Sequence, residues 1–295
     1  MRRLKISRFQ RNPKITLSGE TPVESPPEAP IEAPVEVPVK RRRSAWIYFA
    51  LLVIVILALG GVWFFKFNTS MPVLTIYPSQ GLTSSDWSGY TVSTDLLSPK
   101  AAVTSITGSW TIPTVTSSQG SSFSAAWIGV GGQYDQALIQ TGTEHDWMNG
   151  SPSYIAWYEL LPQDSVQLSM TISPGDVMTA SITLQDAATQ TWVIQITDTT
   201  KGQTFKQSFN YATTRLSAEW IVERPVANNR ISTFASFSRV TFTGCSATLS
   251  GRTGSITDFP HSSFSLIGRM NNYLDAVSSP TNGGSSFTVD FIAAR

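Results

Sequence analysis

From about residue 85 onward, apolar and polar residues alternate with a period of two, which is typical of β-strands rather than of helices. In Asp176–Leu184, for example, Met178, Ala180 and Ile182 form one face. Similar short runs follow one another, bounded by Gly, Pro, Ser and Asn, and no stretch has the length and period of an amphipathic helix. The pattern predicts an all-β domain over residues 85–295, built as an antiparallel sandwich or barrel.

One hairpin can be predicted within this domain. Thr191–Thr197 and Gln203–Phe209 are both rich in β-branched and aromatic residues. The turn-forming segment Asp198–Gly202 joins them. We therefore expect two neighbouring antiparallel strands.

Residues 45–65 form an uncharged, apolar stretch. As a helix it would rise about 31 Å, which matches the hydrocarbon core of a bilayer. The basic cluster Lys40–Arg43 precedes it, and Lys66 alone follows closely. The positive-inside rule then predicts a single-pass membrane protein with a cytoplasmic N-terminus and an extracytoplasmic C-terminal domain, in contact with membrane lipid through residues 45–65.

The segments around this stretch have their own composition. Residues 1–44 are basic and then rich in Pro and Glu, and the interleaved prolines favour an extended, solvated tail. Residues 66–84 are interpreted as a linker between the span and the β domain. Whether the Pro/Glu-rich tail is a spacer or a docking strip stays open.

Charge and cysteine content exclude several classes of function. From Lys66 to Arg295 there are 11 basic and 15 acidic residues, so the domain lacks the basic surface that nucleic-acid binding requires. Cys245 stands alone, which rules out an intrachain disulfide and a cysteine-rich metal site. We expect its thiol to be a small buried apolar group.

The inventory of catalytic residue types is narrow. There are two histidines, His145 and His261, and no His-Glu-x-x-His motif that would indicate zinc. Nucleophile elbows of the Gly-x-Ser-x-Gly type, Asp-Thr-Gly triplets and glycine-rich phosphate loops are also lacking. Carboxylates and amides remain as candidates, and no metal or cofactor is predicted.

One hydrophobic strand carries two of the candidate carboxylates. In Ala218–Glu223, alternation places Trp220 and Val222 on the core face and Glu219, Ile221 and Glu223 on the opposite face. Carboxylates on so apolar a strand need an explanation, because burying an unpaired charge is costly.

Further polar groups occur in similar surroundings. Gln140 shares a face with Leu138, Glu159 lies in an aromatic run, and Glu144 and Asp146 lie two apart, so that both point the same way on a strand. Taken singly, each of these groups can equally be exposed or satisfied by neighbouring backbone.

The motifs that contain these residues occur in a known order. The runs QALIQTG, YIAWYEL and AEWIVERP follow Asp86–Gly89, Trp110–Pro113 (WTIP) and Trp127–Gly132 (WIGVGG), and FASFSRVTFTGCS comes later. In this order they resemble the glutamic peptidase (eqolisin) family of fungal acid proteases, over nearly the whole of residues 85–295. The resemblance implies a two-sheet jelly-roll sandwich of the concanavalin A-like type, with the active site on its concave face.

The resemblance also assigns roles. It implies that Gln140 and Glu223 are catalytic and that Trp127, Tyr158 and Glu159 bind substrate. The implied activity is hydrolysis of peptide bonds in a polypeptide substrate at acidic pH, without metal, cofactor or covalent intermediate. Glu223 would transfer protons to and from a water, and the Gln140 amide would donate to the developing oxyanion.

Departures from the fungal pattern limit the comparison. Gly131 stands where the fungal enzymes carry an acid, and Leu160 stands where they carry an aromatic residue. Two other functions stay open: a lectin-like module that binds carbohydrate or peptide without cleaving it, and a glycoside hydrolase that uses Glu144 and Asp146.

Overall fold

The computed structural model describes residues 77–227 and 230–295. Within these residues no helix is long and apolar enough to cross a membrane. The predicted tail at 1–44, the predicted span at 45–65 and most of the predicted linker lie outside the described residues. The span therefore stays a prediction.

The described residues form a sandwich of two large β-sheets, as the alternation pattern predicts. The first sheet, sheet A, has the strand order β1-β16-β2-β11-β4-β5-β6-β7. Its strands, numbered along the chain, are β1 (Ser79–Ser84), β2 (Trp87–Ser93), β4 (Ala125–Gly131), β5 (Leu138–Met148), β6 (Ser151–Leu160), β7 (Val166–Gln167), β11 (Ser217–Glu223) and β16 (His261–Leu266).

The second sheet, sheet B, has the order β10-β9-β8-β3-β14-β18-β17, with β15 paired to β14. Its strands are β3 (Val103–Thr111), β8 (Val177–Asp186), β9 (Thr191–Asp198), β10 (Gln203–Asn210), β14 (Val240–Leu249), β15 (Arg252–Gly254), β17 (Asp275–Val277) and β18 (Phe287–Phe291). A short pair, β12 (Val226–Ala227) and β13 (Arg230–Ile231), and a 3₁₀ turn at Ile256–Asp258 complete the described elements. The predicted hairpin is confirmed, because β9 and β10 pair antiparallel.

The folded unit begins earlier than Ser85. Ser79–Ser84, which the sequence pattern assigns to the linker, is strand β1 and pairs with β16 in parallel. It is also an exception to the antiparallel pairing of the rest of sheet A. The pattern does not show it because the run SQGLTS buries only Leu82 and Ser84.

The main core lies between the two sheets. Trp110 and Phe242 of sheet B pack in the same cluster as Ile128 and Trp220 of sheet A. The predicted faces of β8 and β11 are confirmed, since Met178, Ala180, Ile182, Trp220 and Val222 all belong to this cluster. Cys245 is buried there as a free thiol, as expected.

A polar link also crosses the core. The Trp110 indole of sheet B donates to the Thr143 hydroxyl of sheet A at 2.8 Å, and that hydroxyl lies 2.8 Å from His145 Nε2. The Thr143 hydroxyl thus links the Trp110 indole to the His145 ring. Complete burial lowers the pKa of His145 to about 3, which keeps the ring neutral.

Candidate active site

Sheet A is unusual in having a second apolar face, which points away from sheet B. Its buried apolar residues form a separate cluster: Trp87, Ala125, Trp127, Leu138, Trp157, Leu161 and Ile221. A solvated sheet face normally alternates to polar residues. Sheet A therefore buries apolar side chains on both of its faces.

The strand register brings the predicted residues to this face. Gln140 on β5 lies opposite Glu159 on β6 and opposite Gly129 on β4, and Gly129 lies opposite Glu219 on β11. Opposed residues in an antiparallel pair point to the same side. One polar row therefore crosses four strands.

Glu223 lies four residues after Glu219 on β11, so its side chain is on the same face of sheet A. Its row contains Ala125 on β4 and Glu144 on β5. Between the row of Gln140 and the row of Glu223 lies a third row, in which Gly142 on β5 is opposite Trp127 on β4 and Trp157 on β6. Gln140 and Glu223 thus share one face, on either side of a tryptophan row.

Glu223 is held in place by Trp127. The indole Nε1 of Trp127 donates to Glu223 Oε2 at 2.7 Å, and only 4% of Glu223 is exposed. A hydrogen bond to a carboxylate from a rigid, buried ring fixes the direction of the acid side chain. Trp87 packs edge-on against Trp127, with ring centroids 5.2 Å apart.

Gln140 is held in a comparable way by Glu159. Its Nε2 donates to Glu159 Oε2 at 2.5 Å, and both side chains are buried. The carboxyl contact decides the orientation of the amide, since the oxygen of Glu159 needs a donor. Gln140 Oε1 has no hydrogen-bond partner among the described residues.

Glu219 is a different kind of carboxyl. It is completely buried, and neither oxygen makes a hydrogen bond of normal geometry within the described residues. Burial raises its pKa well above the usual range, the charge of Asp135 adds to that rise, and the nearby Ser217 hydroxyl offsets part of it. Glu219 is therefore expected to stay neutral across the acidic range.

The glycine of the Gln-Thr-Gly triplet allows the tryptophan row to form. A Cβ added to Gly142 would lie 2.4 Å from Ala126 O and 2.4 Å from Trp127 Cβ. No side chain fits there without moving β4. Gly142 therefore lets Trp127 pack close to β5, between the rows of Gln140 and Glu223.

Tyr158 does not join this face. It precedes Glu159 on β6 and points to the other side, where its ring stacks on Phe205 at 5.4 Å and packs against Phe209 at 4.8 Å. The structure thus does not bring Tyr158 and Glu159, both predicted to bind substrate, together on one face of β6. Alternation along a strand is the physical reason, because neighbours in sequence face opposite sides.

The two acids of β5 lie on the same face of sheet A as Gln140. Glu144 and Asp146 are both buried, and Asp146 accepts a bond of 3.3 Å from the Ser124 N–H. Across residues 77–227 and 230–295, no three His, Cys, Asp or Glu side chains converge as a metal site requires. The absence of a cofactor stays a prediction.

Sequence reasoning missed two residues of this face. Trp87 and Trp157 are buried in the apolar cluster around Trp127. Both lie in the motifs that carry the resemblance, two residues before Gly89 and two before Glu159. Period-two spacing from those motif residues was the signal that could have identified them.

Comparison with known proteins identifies the family of this chain. The sequence profile of the Peptidase A4 family matches residues 85–291. The chain belongs to this family. The resemblance seen in the motif order is thereby confirmed.

Individual relatives support the same assignment. Aspergillopepsin-2 from Aspergillus niger is 31% identical over 195 residues, which are 58% of this chain and 66% of that protein. The match thus spans slightly less than two thirds of that curated relative. The family to which this chain belongs is one of peptidases, which are hydrolases.

Solved structures extend the likeness to the fold. Scytalido-glutamic peptidase with a transition state analog inhibitor has a TM-score of 0.60 and 28% identity, covering 70% of this chain and 98% of that one. SCP-B, a member of the eqolisin family in complex with the tripeptide Ala-Ile-His, has a TM-score of 0.56 and 25% identity, with the same coverage. The two-sheet sandwich is therefore the family fold.

Proposed function

We propose that this protein is an endopeptidase that hydrolyses peptide bonds with Glu223 and Gln140 and a water molecule. The observation that carries the proposal is their placement. Both side chains lie on one apolar, buried face of sheet A, and each is held by a hydrogen bond from or to a neighbouring side chain. Such preorganisation is what acid–base and oxyanion catalysis require.

In the proposed reaction Glu223 acts as general base and then as general acid. Its carboxylate takes a proton from the water, and the water oxygen forms a bond to the scissile carbonyl carbon. The tetrahedral intermediate then breaks its C–N bond, and the proton on Glu223 passes to the departing amine. Atoms and charge balance without a covalent enzyme intermediate.

Gln140 stabilises the negative charge that develops during the proposed reaction. One hydrogen of its Nε2 is engaged by Glu159, and the other is available to the oxygen of the scissile carbonyl as that oxygen becomes negative. An amide side chain stays neutral at the pH values at which the protein is folded, so Gln140 takes no part in proton transfer. The Trp127 and Trp157 rings exclude water around the reacting groups, which strengthens these interactions.

An acidic working range is part of the proposal. The described residues include buried carboxyls whose pKa values burial raises, among them Asp86, Glu219 and Asp275. Such groups are best tolerated in their neutral form, so the fold suits acid better than alkali.

The test is cleavage of denatured casein by the full chain between pH 2 and pH 8. We expect Glu223→Gln and Gln140→Ala each to lower kcat by roughly 100-fold or more. Glu223→Gln removes the general base, and Gln140→Ala removes the oxyanion donor. The melting temperature of Glu223→Gln should stay near that of the parent protein. Gln140→Ala should melt somewhat lower, because it removes a donor from the buried Glu159 carboxyl.

The matched control is Glu144→Gln, a buried acid on the row of Glu223. It should leave most of the activity. Cleavage of a polysaccharide that is lost in Glu144→Gln but not in Glu223→Gln would favour a glycoside hydrolase. Retained ligand binding with no turnover of any polymer would favour a lectin-like module.

A further inference from the structure

A cavity of about 270 Å³ lies at one edge of the sandwich, among residues of β6 and β7 in sheet A and residues at the end of β10 in sheet B. β7 and β10 are the outermost strands of their sheets on this side. The residues that line this edge cavity lie outside the apolar cluster of the candidate active site. The cavity is therefore a second concave feature of the molecule.

The walls of the edge cavity are aromatic and aliphatic, and they comprise Tyr158, Leu160, Val166, Phe209 and Tyr211. The rings of Tyr158 and Phe209 pack together, with centroids 4.8 Å apart. The Tyr211 hydroxyl donates to Leu161 O at 2.7 Å, which holds the end of β10 against the end of β6. Packing and a hydrogen bond between the sheets thus fix the walls.

The mouth of the edge cavity is polar and open to solvent. Gln163, Asp164 and Asn210 line it and are exposed, and Val166 beside them is 44% exposed. Sites for drug-sized ligands have volumes of roughly 300–1,000 Å³, so this smaller cavity suits one side chain rather than a larger molecule. Aromatic walls below a polar mouth favour an aromatic side chain whose backbone stays at the mouth.

The polar row of the candidate active site runs toward this edge. It passes from Gln140 on β5 to Glu159 on β6, and β7 is the next strand of sheet A. Neighbouring strands lie about 4.8 Å apart, so β7 is about 10 Å from β5, which is the length of about three residues of an extended peptide. A polypeptide that follows this row from Gln140 reaches the edge cavity within three or four residues.

We propose that the edge cavity is a specificity subsite that binds an aromatic side chain of the polypeptide substrate, three or four residues from the scissile bond. Phe209 and Tyr211 pack against the ring, and the Gln163 amide at the mouth hydrogen-bonds to the substrate backbone. β6 then serves both sites, because alternation directs Glu159 to Gln140 on one face and Tyr158 to the cavity on the other. This inference deepens the proposed function and rests on it.

The cleavage specificity of the full chain tests the position of the subsite. A mixture of peptides from a digested proteome is incubated with the protein at acidic pH, and the products are sequenced by mass spectrometry. We expect Phe, Tyr and Trp to be enriched several-fold at one position, three or four residues from the cut and on one side of it. Equal frequencies of aromatic and other residues at all of these positions would overturn the inference.

Two synthetic peptides that differ only in Phe or Ala at the enriched position measure the effect of the cavity. The ratio of their kcat/KM values should fall roughly fivefold or more in Phe209→Leu, which removes an aromatic wall, and in Val166→Trp, which fills the cavity. Because the ratio compares two substrates of one variant, a general loss of activity cancels.

The matched control is Phe205→Leu. Phe205 also lies on β10 and stacks on Tyr158, with ring centroids 5.4 Å apart, but it does not line the cavity. Its variant should keep the ratio of the parent protein within about twofold. An equal fall of the ratio in Phe205→Leu and Phe209→Leu would contradict a role of the cavity itself.

A binding experiment separates the subsite from the proposed function. In saturation-transfer NMR, N-acetyl-phenylalaninamide should give ring signals with the parent protein and with Phe205→Leu, and weaker signals with Phe209→Leu and Val166→Trp. If the parent cleaves no peptide, the proposed function fails, and these signals still decide whether the cavity binds an aromatic side chain. If the parent cleaves peptides without aromatic preference and the four proteins give equal signals, the subsite alone fails.

Discussion

At the scale of single residues, the candidate site is a set of side chains whose directions are fixed by one partner each. Trp127 directs Glu223, and Glu159 directs Gln140. Neither partner exchanges a proton in the proposed reaction. Their role is to hold a carboxyl and an amide in the geometry that the transition state needs.

Trp127→Phe tests the first of these contacts. Phenylalanine keeps the aromatic packing against Trp87 but loses the indole N–H that donates to Glu223. A hydrogen bond to a charged group contributes about 1.5–3 kcal/mol, so kcat/KM should fall roughly 10- to 100-fold. Peptide cleavage assays at the pH optimum measure this.

The control for Trp127→Phe is Trp192→Phe. Trp192 is equally buried but belongs to the core between the sheets, so its replacement should lower Tm without changing kcat/KM. An unchanged kcat/KM in Trp127→Phe would show that Glu223 is positioned by other contacts.

At the scale of strands, β11 and β1 illustrate how neighbours decide function. β11 lies between β2 and β4, which places Glu223 between Trp87 and Ala125 in the register. β1 lies at the edge of sheet A and pairs with β16 over its six residues. It covers an edge that would otherwise expose unpaired backbone groups.

The contribution of β1 can be measured with two fragments. We expect residues 77–295 to melt several degrees higher than residues 85–295. The shorter fragment loses the β1–β16 ladder and the buried side chain of Leu82, which by itself stabilises the fold by about 1.5–3 kcal/mol. Thermal melts followed by circular dichroism provide the comparison.

Leu82→Ala in the longer fragment is the matched variant, because it removes the side chain and keeps the ladder. Its Tm should lie between those of the two fragments. Equal melting temperatures for the two fragments would mean that β1 adds nothing to the stability of sheet A.

At the scale of the whole molecule, the buried acids make the stability depend on pH. Asp86, Asp275 and Glu219 have raised pKa values in the folded protein. The folded state therefore keeps protons that the unfolded chain releases above about pH 4, and stability falls as pH rises from there through about 7. Acids with lowered pKa values, such as Asp95 and Asp186, are exposed and act in the opposite direction only weakly.

Urea unfolding of the full chain should show this dependence. We expect the free energy of unfolding to be larger at pH 4.5 than at pH 8 by about 3 kcal/mol or more. Because burial rather than long-range repulsion is the cause, about 1 M salt should leave the difference largely intact. A stability that rises toward pH 8 would contradict the assignment of these acids as neutral.

Some features of the strands could be predicted from the sequence and others could not. Period-two alternation correctly predicted the all-β class, the β9–β10 hairpin and the two faces of β11. Tyr158 was grouped with Glu159 because they share a motif, although alternation separates them. The six residues of β1 carry little apolar signal, so the start of the domain was placed too late.

The sequence by itself determined which groups are available: an amide and a few acids on hydrophobic strands, in the motif order of one family, and an apolar stretch at 45–65 whose membrane role stays a prediction. Only the tertiary structure decided which of these groups meet. The hydrogen bond of Gln140 with Glu159 and that of Trp127 with Glu223 each join residues that are distant in the chain. The physical reason is that alternation is a local property of one strand, whereas register and strand order come from the packing of the whole sandwich.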